Sequence, residues 1–461
     1  MRAPSSDPAG AHAPYAPAVG ERAVYRCATV IDGRGGAPLR ETSVVTDGEL
    51  ITTVVSDAEL PPGELTGATV VDLRGHYLLP GLIDSHQHLA TPPNRGPAEE
   101  RLRRQLYGGV TAIRDMADDL RQIGDLARAT LVGEIAGPDI YYAALMAGPG
   151  FFDDPRTWQV SQGTRPGAVP WMQAVDDGTD LVLAVAMGRG TSAVAIKIYA
   201  DLAGKDVARI VEEAHRQGMQ AWAHAMVFPA TVDEVVDAGV DVVSHASYLA
   251  YHLSTQRPSS YKEHLGLMDS VCEELLSADL RPLDPLLDKM AMRGTILDAT
   301  ASLVLRHGSP EPGSDAADAP GVDGSRARAA AVVEVLRRAR AAGVAVSAGT
   351  DYELPSEEAF PSLHAELSFL VGEAGMSPAE AIHAATLVGA RSAGQSTIMG
   401  SVEPGKLANL LVLAGDPLAD IANLSSVVFT VKRGRRFERA DFAVPDAGCG
   451  GTRRGEEPRQ P

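Results

Sequence analysis

The stretch LLPGLIDSHQH, residues 78–88, is an apolar run that closes on two histidines one residue apart. Its place in the chain decides the fold, because the pattern differs on its two sides. Upstream, between Val24 and Leu79, short runs such as AVYRCATVID, SVVTDGELITTVV and GATVVDL are punctuated by Gly, Pro and Asp, which predicts β-strands at turn-sized spacing. From Leu78 onward, short apolar runs alternate with helix-length segments rich in Ala, Arg, Glu and Leu. That alternation predicts a parallel sheet with crossover helices. After residues 78–88 the runs are VTAIRDM (110–116), IYYAALM (140–146), AVAIKIYA (193–200), QAWAHAM (220–226), VDVVSHAS (240–247), TILDATASLV (295–304) and VAVSAGTD (344–351). Eight strands in roughly 270 residues fit a (β/α)8 barrel, whose usual size is about 250. KDVARIVEEAHRQG and RARAAAVVEVLRRARAAG, with apolar residues at helical spacing, supply the outer ring.

Beyond the barrel, MSPAEAIHAATLVGARSAG (376–394) predicts a helix introduced by Ser377 and Pro378, and strands return in SVEPGKLANLLVLAG and SSVVFTVKRGRRF. The fold class is therefore α/β: a (β/α)8 TIM barrel over 78–395, with a small β-sandwich domain assembled from 20–77 and 396–440. Residues 1–19 and 441–461 are poor in core-forming side chains and are expected to be disordered tails. The acidic, Gly- and Pro-rich segment 307–325 is expected to be a long βα loop.

Composition narrows the function. The 461 residues are 45% apolar and 22% charged, as in an ordinary globular chain, and the formal charge is −19. Such a surface repels phosphate backbones and anionic lipid, so neither nucleic acid nor membrane is an expected partner. Cys27, Cys272 and Cys449 are too few and too scattered for a disulfide framework or a cysteine zinc site, which points to a reducing cytoplasm. No apolar run reaches the ~18 residues of a membrane helix, and the first residues lack the apolar core of a signal peptide. The expected partner is a small-molecule substrate, and a homo-oligomer is compatible with the chain.

The informative residues are polar ones at the C-terminal ends of apolar strands, where a barrel builds its active site. His86 and His88 close strand 1, with a two-residue spacing that points both imidazoles the same way. His224, His245 and Asp351 end strands 5, 6 and 8. Singly, each histidine reads as a solvated or hydrogen-bonded residue. Four histidines and one aspartate at equivalent strand ends point instead to zinc or a similar divalent ion. Lys197, one of only six lysines, lies between Ile196 and Ile198 at the matching place on strand 4. It is either a buried ion pair or snorkelling side chain, or an amine with a depressed pKa that reacts with carbon dioxide to give a carbamate.

PGLIDSHQH (80–88), GVTAIRDM (109–116), IKIYA (196–200), WAHA (222–225), VVSHAS (242–247), SAGTD (347–351) and SVEPGKLANLLVL (401–413) occur in the order found in the amidohydrolase superfamily. The chain resembles its two-metal, carboxylated-lysine subtype over residues 20–435, with the flavour of the prolidase-like and imidazolonepropionase-like subgroup. The resemblance implies two divalent ions, most simply Zn2+. His86, His88 and Asp351 would hold one, His224 and His245 the other, and N6-carboxylysine at Lys197 would bridge them. Two departures weaken a peptide substrate. Ala225, Met226 and Val227 follow His224, where dipeptidase-like members often carry a tyrosine, and the residues after strand 3 run Ala147, Gly148, Pro149, Gly150, Phe151, Phe152 instead of including Gly-Gly-His. Asn409 replaces a usual aspartate, but in the small β domain. Tyr352, Met226 and Phe151 are the candidate substrate contacts, and Glu353 follows Tyr352.

Two ions about 3.5 to 4 Å apart would bring a bridging water's pKa toward ~7, giving a hydroxide nucleophile. Asp351 would act as general base and then acid. The resulting expectation is hydrolysis of an amide-like carbon–nitrogen bond. Ester or lactone cleavage on the same site is the adjacent alternative, and a non-catalytic scaffold on the same fold is the alternative from another class.

Overall fold

The structure, a computed structural model, describes residues 17–305 and 322–444. Eight parallel strands form the barrel: β1 (Leu82–Gln87), β2 (Val110–Asp115), β3 (Asp139–Ala147), β4 (Ala195–Ile198), β5 (Gln220–His224), β6 (Val242–Ser244), β7 (Ile296–Asp298) and β8 (Val346–Ser347). Each pairs in parallel with the next. Closure comes from Ser85 N donating to Ala348 O and Asp351 N donating to His86 O, both at 2.9 Å, so β8 returns to β1. Every residue of β1, β2 and β4 is buried, the signature of strands covered on both faces. In the helix Gly204–Arg216, Val207, Ile210, Val211 and Ala214 are buried, forming one apolar stripe laid against the barrel.

Several strands are shorter than their apolar runs suggest. Residues 78–88 serve two sheets: Tyr77–Pro80 belongs to the small sheet and Leu82–Gln87 to the barrel, with the break at Gly81. A side chain at Gly81 would sit 2.2 Å from the Thr111 side chain, so glycine lets the chain turn from one sheet into the other. The run TILDATASLV leaves its strand after Asp298 and continues as a 3-10 turn, Ala301–Leu305. VDVVSHAS leaves its strand at Ser244, since His245 takes φ 73.

The second sheet contains Ala23–Val30, Leu39–Asp47, Leu50–Ser56, Thr69–Asp72 and Tyr77–Pro80 from the N-terminal side, joined to Leu410–Leu413, Val427–Lys432 and Arg435–Glu438. The period-two alternation of its strands separates two cores. Leu78, Leu410, Val412, Phe429 and Val431 join Tyr25 and Val44 in a small core of the sheet's own, whereas Leu79, Leu411 and Leu413 enter the barrel's core, joined by Val427 across a register shift that separates it from Phe429. The strands bearing Tyr25 and Phe429 are three steps apart, roughly 14 Å in a flat sheet. Their ring centroids lie 5.9 Å apart, so the sheet rolls over its own core. Asn409, the residue before Leu410–Leu413, accepts from Arg433 N at 2.8 Å.

Lys432 and Arg433 fasten the sheet to the barrel. The Lys432 ammonium donates to Thr130 O and Gly137 O, each at 2.9 Å, and pairs with Asp139, which also takes Arg433 Nε at 3.0 Å. The ends of the described chain are packed as well. Ala18 N donates to Leu131 O, and the Phe442 ring lies 5.7 Å from Tyr107. The expected tails at 1–16 and 445–461, and the expected loop from 307 to 321, lie outside the described residues; residues 322–325 open the helix Val322–Ala341. The helix expected at 376–394 starts at Pro378, capped by Ser377 and Glu380, and passes through a π turn, Ala384–Val388. Among the described residues, no helix is long and apolar enough to cross a membrane.

Candidate metal centre

Side-chain-bearing positions past the C-terminal ends of the barrel strands that adopt left-handed backbone include Asp201 (φ 57), His245 (φ 73), Thr300 (φ 44) and Asp351 (φ 58). Each costs of order 1–3 kcal/mol, and such residues gather where a chain must aim side chains at one point. For His245 that point is the Asp351 carboxylate. Its Oδ1 lies 3.5 Å from His86 Nε2 and 3.6 Å from His88 Nε2, and its Oδ2 lies 3.8 Å from His245 Nδ1. One ligand atom from each of His86, His245 and Asp351 falls within 4.8 Å of the others. The imidazoles form a file: ring centroids are 5.7 Å apart for His88 and His86, 5.1 Å for His86 and His245, and 5.0 Å for His245 and His224. Asp351 therefore faces histidines of both expected metal positions.

The Nδ1 atoms are held differently along the file. His86 Nδ1 bonds Asp298 Oδ2 at 2.7 Å and His88 Nδ1 bonds Asp118 Oδ1 at 2.8 Å, both buried carboxylates. His245 Nδ1 meets Thr300 Oγ1 at 3.0 Å. His224 Nδ1 is buried with no hydrogen-bond partner among the described residues. Burial and the neighbouring Lys197 charge drive His224 well below the ordinary histidine pKa and bring His245 down to about 3; burial lowers His86 too. At His88 desolvation is outweighed by the Asp118 charge and hydrogen bond, and its pKa rises to about 9.

Lys197 is buried on β4, opposite Leu145 and Trp222, and its Nζ donates to Ser244 Oγ at 3.2 Å. Ser244 Oγ donates to Asp298 Oδ2 at 3.0 Å, so Lys197 reaches the histidine file through two intermediaries. Burial lowers its pKa from 10.5 to about 7.

The donor set suits divalent cations. Two imidazoles keep Nε2 toward the centre because a carboxylate holds Nδ1, and an orphaned His224 nitrogen waits beside them. The other expected contacts separate. Phe151 is buried against Tyr199, 4.6 Å away, and Tyr199 lies 4.1 Å from His224, so Phe151 stands behind Tyr199. Met226 is buried. Tyr352 is partly exposed, and its hydroxyl lies 3.3 Å from Ser302 Oγ. Glu353 is a structural residue, paired with Arg104 at 2.9 Å in the interior.

Asp298, Asp118, Tyr199 and Tyr248 stand at the site without having been singled out by the sequence. Asp298 ends an apolar run just as the histidines do, so the same signal marks it. Tyr248 lies 5.2 Å from His245 and 5.7 Å from His224; His264 bridges its hydroxyl, at 2.9 Å, to that of Tyr251, at 2.7 Å.

Residues 77–437 match the sequence profile of the amidohydrolase family. The ochratoxinase of Aspergillus niger is 26% identical over 436 residues, covering 84% of this chain and 80% of that protein. An imidazolonepropionase of Pseudomonas aeruginosa is 40% identical over 86 residues, 18% of this chain and 21% of that enzyme. Among solved structures, a Xaa-Pro dipeptidase with bound methionine shares the fold at TM-score 0.69 and 23% identity, with 91% of this chain and all of that one aligned.

Proposed function

The chain belongs to the amidohydrolase family, and we propose that it is a metal-dependent hydrolase of an amide-like carbon–nitrogen bond in a small-molecule substrate. The similar proteins carry names of hydrolases of different substrates, which supports the reaction class and leaves the substrate to experiment. The observation that carries the reading is Asp351, one carboxylate within 3.5 to 3.8 Å of three imidazoles, two of which are oriented from behind by buried acids.

In this reading His86, His88 and Asp351 would hold one divalent ion, most simply zinc, and His224 and His245 would hold a second. Lys197, as N6-carboxylysine, would help hold both, because a buried amine whose pKa has fallen to about 7 is substantially neutral at physiological pH and able to attack carbon dioxide. Bound there, the ions would bring the pKa of a coordinated water toward ~7 and polarise the scissile carbonyl. Asp351 takes the proton released as water adds to the carbonyl carbon and delivers it to the departing nitrogen, so that a neutral amine leaves. Asp298 and Asp118 keep the imidazoles aimed during that exchange. Tyr199, partly exposed and against His224, borders the space beside the histidine file.

The test is elemental analysis of dialysed protein, followed by a hydrolysis screen of zinc-loaded enzyme against N-acyl amino acids, dipeptides, aryl amides, cyclic amides, esters and lactones. Close to two ions per chain and turnover of an amide are expected. One ion per chain, or a bare amine at Lys197 after incubation with 13C-bicarbonate and metal, removes the bridged arrangement. Hydrolysis confined to esters or lactones removes the amide assignment.

A further inference from the structure

We propose that Asp298 is a positioning residue that fixes the tautomer of His86 and ties it, through Ser244, to Lys197; this rests on the metal-dependent reading above. Three donors converge on a single oxygen of Asp298: His86 Nδ1 at 2.7 Å, Ser244 Oγ at 3.0 Å and Arg114 Nη2 at 3.1 Å. All four side chains are buried. Arg114 can only donate, so this oxygen serves as an acceptor; the His86 proton then lies on Nδ1 and the lone pair of Nε2 faces Asp351.

The cation that faces this acid in the interior is Arg114. Its guanidinium is itself immobilised, donating to Ser85 O at 2.7 Å and Ser392 O at 3.0 Å and lying 4.5 Å above the Trp222 ring. The fit extends to Gly349 of the SAGTD segment. A Cβ there would lie 2.3 Å from Asp298 Oδ1 and 2.7 Å from His86 Cβ, so only glycine allows the acid and the histidine to meet.

Ser244 makes the link directional. Its one hydroxyl hydrogen is committed to Asp298, so toward Lys197 the serine accepts, and a hydrogen of Nζ points at it. One valence of the lysine nitrogen is thereby fixed, whether that nitrogen is an amine or a carbamate. His86 and Lys197, from β1 and β4, are oriented by one hydrogen-bonded chain, although no sequence motif contains both.

The test follows the proton directly. In metal-free, 15N-histidine-labelled protein, with His86 assigned by loss of its signals in His86→Gln, His86 is expected to carry hydrogen on Nδ1 and none on Nε2. A signal showing hydrogen on Nε2 overturns the proposal without any variant at position 298. Asp298→Asn, which removes the charge and keeps the volume, is expected to weaken zinc binding 10- to 100-fold in chelator competition. Ser244→Ala is expected to leave the His86 tautomer unchanged and to reduce the 13C-carbamate signal several-fold. Unchanged zinc affinity in Asp298→Asn overturns the proposal alone. A wild-type protein that binds no zinc, yet has Nδ1-protonated His86, overturns the metal reading and leaves the orientation by Asp298 standing.

Discussion

The two halves of the histidine file use the same residue type in opposite surroundings. On the β1 and β2 side, His86 and His88 are each backed by a buried aspartate. On the β5 and β6 side, His224 and His245 stand among rings: Tyr199, Tyr248 and Tyr261 all lie within 6.5 Å of His224, and the nearest polar anchor is the Thr300 hydroxyl. The acidic side therefore orients imidazoles by charge-assisted hydrogen bonds, and the aromatic side by shape. The lesson is that a lone pair can be aimed either by pinning the opposite nitrogen or by leaving the ring no room to turn. The first is sensitive to charge, the second to packing.

That contrast can be broken at several points. The largest effect should come from the packing side. Phe228 is fully buried and stacks on His264 at 4.7 Å and against Tyr251 at 5.5 Å. Phe228→Ala should cost about 3–5 kcal/mol of stability in denaturant unfolding, as for other buried aromatic deletions. Near-wild-type stability would mean that the aromatic side is loosely packed.

Next is Glu366, which accepts from Ala301 N at 2.9 Å and Ser302 N at 2.6 Å and so steadies the turn beside Thr300. Burial raises its pKa from 4.5 to about 7. The folded state then binds this proton more tightly than the unfolded state, so its contribution to stability is present below about 4.5 and is lost as pH rises to about 7. The loss is about 3 kcal/mol at 1.36 kcal/mol per unit. Unfolding of Glu366→Gln at pH 5 and pH 7.5 should show a flatter dependence than wild type.

Asp351 touches both halves, and Asp351→Asn should reduce turnover about 100-fold or more while metal remains bound. Retained turnover would assign the proton transfer to another group. The smallest effect is a paired comparison. Asp118→Ala should weaken the metal position at His88 by 10- to 100-fold, whereas Thr300→Val, which removes a neutral partner of His245, should change affinity only a few-fold. Equal effects would erase the distinction between the halves.

The barrel and the residues that gather around Asp351 were legible because β1, β5, β6 and β8 each end an apolar run in a residue unsuited to a core, and that misfit survives in one dimension. Asp298 obeys the same rule, but it lies inside TILDATASLV, whose apolar continuation concealed that the strand stops at the aspartate. The aromatic side was not legible. Tyr199 follows β4, Tyr248 and Tyr261 both lie in the long connection after β6, and their meeting at His224 depends on loop paths that no periodicity encodes. Strand limits failed for a related reason, since His245 and Asp351 leave extended geometry through left-handed backbone that their residue types do not announce.

The break at Gly81 has a consequence for how the chain is made. Tyr77–Pro80 finds its antiparallel partner in Leu410–Leu413, where Leu79 meets Leu411 roughly 330 residues later. At roughly 5–20 residues per second the ribosome needs on the order of 20 to 70 seconds to supply that partner, so one edge of the early strand stays unsatisfied while the barrel emerges. Among the described sheets, this one is thus the last that can be completed. A chain stopped before residue 410 would expose that edge to pairing with its own copies, and loss of the C-terminal strands should appear first as aggregation during synthesis.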